Sequence, residues 1–135
     1  IADGVRKGDR VAIVMRNLPE WPVAFYAASI VGAIVTPLNA WWTGEELEYG
    51  LTDSGAKILV VDAERMQRLR PYLGNCPDLA RTYVARGEGD DSLEAVLGPV
   101  NGWGALPDLP LPDVDIDPED DATIFYTSGT TGKPK

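Results

Sequence analysis

The sequence predicts an α/β fold built on a parallel sheet, and three observations favour this class. Short apolar runs rich in Val, Ile and Leu recur through residues 1–86, and segments with a helical pattern separate them. One run, Lys57 to Asp62, is almost continuously apolar, as in a parallel strand that is covered on both faces. Repeated strand–helix–strand units of this length imply parallel strands with right-handed crossovers.

The first unit covers two strands and one helix. The apolar run from Arg10 to Met15 suits a buried strand. Asn17 to Pro19 then opens a helix that runs from Glu20 to about Val31. A second short strand, Ala33 to Thr36, follows and is expected to end at the proline after it.

The second helix has a clear signal at each end. Thr43 and Glu46 have the spacing of a capping box, in which each side chain accepts a hydrogen bond from the backbone N–H of the other residue. Gly55 offers the left-handed conformation that commonly follows the last turn of a helix. These signals predict a helix over Gly44 to Ser54.

The remaining elements of the α/β portion follow the same alternation. The strand Lys57 to Asp62 precedes a helix predicted from Ala63 to about Leu73, and a further strand is predicted near Thr82 to Ala85. Residues 1–86 therefore form the strand–helix portion of the chain.

Residues 87–120 differ in character and predict a long surface connection. Eleven acidic residues and no basic ones lie between Gly87 and Asp121, and the segment is rich in proline. Its one predicted helix is Ser92 to Leu97. In residues 121–135 an apolar strand is predicted from Ala122 to Tyr126, and it leads into a Gly/Thr-rich loop.

Composition excludes several function classes. The net charge of −9 belongs to the acidic connection, so it indicates a solvated segment rather than a cationic partner. Clustered Lys and Arg are missing, which argues against nucleic-acid binding. The chain has no His and one cysteine, Cys76, so it offers neither a His-based site nor an internal disulfide. These features fit a reducing compartment, and we expect a cytoplasmic protein.

A membrane span is a weaker interpretation of one segment. Trp21 to Leu38 carries no charge and approaches the length of a spanning helix. Pro22, Gly32 and Pro37 interrupt it, and a helix followed by a short strand explains the run better. No secretory signal pattern is visible.

The loop after the last predicted strand has the composition of a polyphosphate-binding site. Glycines allow the backbone to approach an anion closely, hydroxyls donate to phosphate oxygens, and successive N–H groups can form an anion-binding nest. The glycines are Gly129 and Gly132, the hydroxyl residues are Thr127, Ser128, Thr130 and Thr131, and the cations are Lys133 and Lys135.

Two other interpretations of this loop fit its residues less well. A Walker A loop requires four residues between its glycines and a hydroxyl after its lysine. Here two residues separate Gly129 from Gly132, and Pro134 follows Lys133, so the spacing does not match. An ordinary Ser/Thr/Gly loop is compatible with the composition, but not readily with the order of the residues.

That order resembles the signature of the adenylate-forming superfamily, which includes acyl-CoA synthetases, luciferases and peptide-synthetase adenylation domains. The pattern Tyr-Thr-Ser-Gly-Thr-Thr-Gly-x-Pro-Lys is matched at every specified position from Tyr126 to Lys135. The resemblance extends upstream through Gly4 to Val11, Gly32-Ala33 and Pro37 to Asn39, which are similar to the amino-terminal subdomain of that superfamily.

The resemblance implies a two-step reaction with ATP, Mg²⁺ and coenzyme A. A carboxylic acid attacks the α-phosphorus of ATP to give an acyl-adenylate and pyrophosphate, and a thiol then displaces AMP. Thr127, Ser128, Gly129, Thr130, Thr131 and Gly132 are implied to hold the β- and γ-phosphates. Thr127 is implied to lie near Mg²⁺, and Lys135 corresponds to the motif lysine. Lys133 occupies the variable position and is treated as accessory.

The chain is expected to be a fragment with no catalytic residue of its own. Neither Ile1 nor Lys135 resembles a natural terminus, and the adenine, ribose, metal-carboxylate and lid-lysine residues of such enzymes are expected after Lys135. The isolated chain is therefore expected to be inactive, a non-catalytic α/β module. No partner other than the small molecules is implied, although a homo-oligomer stays open.

The segment before the capped helix favours one branch of the superfamily. Asn39 followed by the box from Thr43 to Glu46 is similar to acyl-CoA synthetases, and a fatty or other hydrophobic acid is the expected substrate. An adenylation domain or another adenylate-forming ligase is the alternative. Trp41 and Trp42 precede the box, and packing is their expected role: Trp42 and Leu47 have the spacing of a hydrophobic staple.

Overall fold

The computed structural model describes residues 2–127 and 134–135. In chain order the elements are β1 (Arg10–Val14), α1 (Glu20–Ser29), β2 (Ile34–Pro37), α2 (Gly44–Ser54), β3 (Ala56–Asp62), α3 (Ala63–Leu69), a 3₁₀ helix (Arg70–Asn75), β4 (Arg81–Ala85), α4 (Leu93–Leu97) and a second 3₁₀ helix (Val100–Ala105).

In the described part of the chain, four strands form one sheet in the order β2-β1-β3-β4, and every pairing is parallel. The central strand β1 pairs on both sides, so that Val11 lies opposite Val35 of β2 and Ile58 of β3. The predicted α/β class with a parallel sheet is therefore confirmed.

The sheet separates two apolar clusters because alternate residues of a strand point to opposite faces. Val11 and Ile13 of β1 pack in one cluster, with residues of α1 and α4. Ala12 and Val14 pack in the other, with residues of α2 and α3. Both faces of the central strand are thus buried, which explains the continuous apolar runs in the sequence.

Helix α2 has the predicted bounds and the predicted caps. The side chain of Thr43 accepts a hydrogen bond from the backbone N–H of Glu46, and Glu46 Oε2 accepts one from the backbone N–H of Thr43 at 2.8 Å. Gly55 has a φ of 61°, which places it in the left-handed region at the end of the helix. Leu47 and Leu51 are buried against the sheet, so the helix is fixed at both ends and along one face.

The third helix is shorter than predicted. The expected span Ala63 to Leu73 ends as an α-helix at Leu69 and continues as a 3₁₀ helix, Arg70–Asn75. Pro71 is the reason: it has no N–H to donate to the carbonyl four residues earlier, and its ring would collide with that carbonyl.

The predicted strand 122–126 is not formed. Thr123 makes a single parallel bridge to Val35, in which Val35 N–H donates to Ala122 O and Ile124 N–H donates to Val35 O, both at 2.9 Å. Residues of a parallel strand alternate in the neighbour that they bond, so the next residue of β2 facing this segment is Pro37. Proline has no N–H, and the ladder stops after one bridge.

The acidic connection contacts the rest of the fold near both of its ends. Its predicted helix is present as α4, and the 3₁₀ helix Val100–Ala105 was not predicted. The Lys7 ammonium donates to Asp115 O at 2.8 Å and forms an ion pair with Asp120 at 2.5 Å. The division into residues 1–86, 87–120 and 121–135 stays a prediction.

None of the helices described within 2–127 is long and apolar enough to cross a membrane. The uncharged segment Trp21 to Leu38 instead contains α1 and β2, as the sequence favours.

Candidate phosphate-binding site

The described residues include the two ends of the predicted phosphate loop. Thr127 and Lys135 are described, and both are exposed. The other predicted site residues, Ser128, Gly129, Thr130, Thr131 and Gly132, lie outside the described residues, as does Lys133. Their assignment stays a prediction from the motif.

The two ends of the loop are hydrogen-bonded to each other. Thr127 N–H donates to Lys135 O at 2.7 Å, and Lys135 N–H donates to Thr127 O at 3.1 Å. The Thr127 hydroxyl also donates to Lys135 O, at 3.3 Å. An exchange of both N–H···O bonds is the pattern of a closely paired antiparallel couple. The motif is therefore closed at its base, where the backbones of Thr127 and Lys135 lie side by side.

Tyr126 attaches this base to helix α2. Its hydroxyl donates to Asp53 Oδ2 at 2.6 Å, and its ring meets the Trp42 ring edge-on, with centroids 6.0 Å apart. Burial raises the pKa of the Tyr126 hydroxyl, and the hydrogen bond to the Asp53 carboxylate raises that pKa further because the tyrosinate would carry a like charge.

Asp53 is a residue that the sequence reasoning missed. One signal was available: an acidic side chain in the last turn of a helix opposes the helix dipole, and α2 has no basic residue in that turn. Such a carboxylate needs a compensating donor. Tyr126 supplies one, and Tyr49 Oη lies 3.4 Å from Asp53 Oδ1.

The second limb of the loop also reaches α2. Pro134 is buried and lines a groove of about 420 Å³ beside the helix. The other lining residues are Glu45, Glu46, Glu48, Tyr49, Thr52 and Asn75. The groove is therefore acidic and is unsuited to hold a phosphate itself. Pro134 forms part of the wall of this groove.

The tryptophan pair divides between two environments. Trp42 packs among the buried residues around α2 and against Tyr126, as expected of a packing residue. Trp41 is 67% exposed, and the Arg16 guanidinium carbon lies 4.3 Å from its ring centroid. This is cation–π geometry. The Arg65 guanidinium carbon lies 5.8 Å from the same centroid, so Trp41 is not a core residue and packs against two arginines.

A magnesium ion at this site would take few ligands from the described residues. Within 2–127 and 134–135, no three His, Cys, Asp or Glu residues converge closely enough to hold a metal ion. The hydroxyl of Thr127 is a hard oxygen donor at an exposed position, which fits Mg²⁺. Mg²⁺ commonly keeps several waters and binds through substrate phosphates, so one hydroxyl from this chain is compatible with its chemistry.

Comparison with known proteins supports the family that the motif indicates, and the match covers the whole chain. A family model described as AMP-binding enzyme matches residues 1–135. 4-Coumarate–CoA ligase 2 of Oryza sativa subsp. japonica is 32% identical over 144 residues, which cover 98% of this chain and 24% of that protein. Benzoate–CoA ligase of Thauera aromatica is 34% identical over 132 residues, which cover 98% of this chain and 24% of that protein.

The fold is also that of solved acid–CoA ligases. The crystal structure of a long-chain-fatty-acid-CoA ligase from Archaeoglobus fulgidus superimposes with a TM-score of 0.80 at 34% identity, covering 99% of this chain and 25% of that one. The chain thus spans about a quarter of the length of the relatives that it matches.

Proposed function

Because this chain belongs to the AMP-binding enzyme family, we propose that it is the part of an ATP-dependent acid–CoA ligase that binds the pyrophosphate end of ATP. The observation that carries the proposal is the closed base of the motif, where Thr127 and Lys135 exchange backbone hydrogen bonds. This pairing brings a hydroxyl donor and a lysine together at the start and end of a loop rich in glycine and hydroxyl groups.

The chain's own residues act by binding and neutralising charge. In the proposed reaction a carboxylate attacks the α-phosphorus of ATP, and pyrophosphate leaves; a thiol, that of coenzyme A, then displaces AMP from the acyl-adenylate. Thr127 to Gly132 hold the leaving phosphates through hydroxyl and backbone N–H groups, and Lys135 offsets their charge. Mg²⁺, when bound near Thr127, would supply further charge neutralisation. No catalytic residue is assigned within this chain.

The proposed substrate is a fatty or other hydrophobic carboxylic acid. Support comes from relatives whose names specify 4-coumarate, benzoate and long-chain fatty acids, each a carboxylate on an apolar body. The acyl-CoA branch is proposed over an adenylation domain because those relatives are CoA ligases and because Asn39 and the Thr43 box follow that branch's pattern. A cytoplasmic location, suggested by the unpaired Cys76, belongs to the same proposal.

The proposal is tested by ATP–pyrophosphate exchange in a protein that carries this chain at the length of its relatives. Thr127→Ala removes a hydroxyl that would donate to a charged phosphate oxygen, and the loss of such a bond typically costs about 1.5–3 kcal/mol, or roughly ten- to a hundredfold in kcat/KM for ATP. Gly129→Val places a β-branched side chain where the motif calls for close approach to phosphate, and we expect it to be at least as damaging.

Lys133→Ala is the comparison variant, because Lys133 occupies the variable position of the motif. It removes a whole charge from the loop, yet we expect a smaller loss than from Thr127→Ala. The phosphate assignment is wrong if Lys133→Ala is the most damaging of the three changes while Thr127→Ala has no effect.

A further inference from the structure

The polypeptide that leads into the phosphate motif is weakly held by the sheet. Thr123 makes one bridge to β2, and the backbone N–H of Ile124 donates a hydrogen bond to Val35 of the same strand. No further described backbone hydrogen bond joins residues 125–127 to the sheet. Phe125 is 68% exposed and contributes little packing. The position of Thr127 must therefore be set by a contact other than strand pairing.

Tyr126 makes that contact. One partner, Asp53, belongs to α2, and the other, Trp42, precedes the capping residue of this helix. The hydroxyl is held by Asp53 at 2.6 Å, and the ring rests against Trp42. At the other end of the motif Pro134 is buried, and it lines the groove beside the same helix. Both limbs of the loop thus rest on one element.

Helix α2 can act as a fixed support because its own position is determined independently of the loop. The capping box closes its first turn and Gly55 ends its last turn. Leu47 and Leu51, which are buried, anchor it to the sheet. A bond to this helix therefore places the loop relative to the sheet, whereas a bond to a mobile side chain could not.

We propose that Asp53 is a positioning residue for ATP: by binding the Tyr126 hydroxyl it fixes Thr127 and the base of the phosphate loop against α2. The inference rests on the proposed function and adds a residue outside the motif to the site. Asp53 does not touch ATP in this account. It acts through Tyr126, and its loss shifts Thr127, with its hydroxyl, away from the phosphates.

The test is a double-mutant cycle on the protein that carries this chain at the length of its relatives. Tyr126→Phe, Asp53→Ala and the double variant are compared by ATP–pyrophosphate exchange with ATP varied at saturating carboxylate. Each single change should raise the KM for ATP by about five- to tenfold, as expected for one hydrogen bond to a partly exposed carboxylate. The double variant should be no worse than either single variant, because both remove the same bond.

Two features distinguish positioning from general support of the fold. The KM for the carboxylic acid should stay within about twofold of the unaltered protein, whereas a damaged fold would affect both substrates. Asp53→Asn, which keeps an oxygen that can accept from Tyr126, should restore most of the affinity for ATP. The matched control is Glu48→Gln, the same loss of charge on the same helix, where the partner is Asn75 and not Tyr126.

Each outcome decides between the alternatives. Exchange in the unaltered protein, with an unchanged KM for ATP in Tyr126→Phe and Asp53→Ala, overturns the positioning role and leaves the proposed function intact. Effects that multiply in the double variant, or that Glu48→Gln reproduces, also overturn it. An absence of exchange in the unaltered protein overturns the proposed function, and this inference with it.

Discussion

Replacing Gly44, the first residue of α2, by alanine should destabilise the protein, although helix propensity favours alanine over glycine. Replacing a glycine by alanine inside a helix ordinarily stabilises it by about 0.5–1 kcal/mol. At Gly44, however, a Cβ would lie 2.4 Å from Tyr72 Cε2 and 2.6 Å from Arg68 O. The carbonyl belongs to the backbone of α3 and cannot rotate away, so α2 must move away from α3 and from the 3₁₀ helix that contains Tyr72.

Overpacking of this kind typically costs about 1–3 kcal/mol, which outweighs the gain in propensity. We therefore expect Gly44→Ala to lower the free energy of unfolding by about 1–2 kcal/mol, and Tm by roughly 3–8 °C for a chain of this size. Urea titration followed by circular dichroism measures the change. Gly74→Ala is the matched control, because no atom lies within 4 Å of a Cβ built there. Gly44→Ala as stable as the unaltered chain would refute the steric argument.

Two further expectations concern the caps and the pH dependence. Thr43→Ala removes the acceptor for Glu46 N–H and should cost about 1 kcal/mol of stability, whereas Thr43→Ser should cost little; equal urea midpoints for all three proteins would show that the box does not stabilise α2. The pKa of Tyr126 is raised in the folded state, so the neutral side chain stabilises the fold. This stabilisation is complete below about pH 9, and it falls as the pH rises above about 10, where the tyrosine of the unfolded chain loses its proton. The difference in unfolding free energy between the unaltered protein and Tyr126→Phe should therefore shrink between pH 8 and 11, and a constant or growing difference would contradict the assigned shift.

Local signals in the sequence predicted the elements whose structure is decided locally. The caps at Thr43 and Gly55 determine the ends of α2, and the apolar run of β3 determines a doubly covered strand. In two places where the prediction was wrong, a proline was responsible, whereas Pro37, which was expected to end β2, is its last residue. Pro71 shortens α3 within its own element, but Pro37 ends the pairing of a segment far along the chain, which no local pattern reveals.

The candidate site shows the same division between local and distant information. The motif from Tyr126 to Lys135 is legible because its glycines, hydroxyls and lysine are contiguous. Asp53 is not part of any motif, and it reaches the site through a tertiary contact. The unfavourable position of a carboxylate at the end of a helix indicates that Asp53 needs a hydrogen-bond donor, but it does not indicate which residue supplies that donor.

The attachment of Tyr126 to Asp53 also has a consequence for the order of folding. The two residues are 73 positions apart, whereas the pairings among β1, β2 and β3 close much shorter loops. Closing a loop three times as long costs only about 1 kcal/mol more in entropy, but that cost must be met before the contact forms. The sheet and α2 can assemble first, and the phosphate-loop segment then docks on a surface that is already complete. Opening should follow the reverse order, so that this segment is released while the sheet beneath it stays folded.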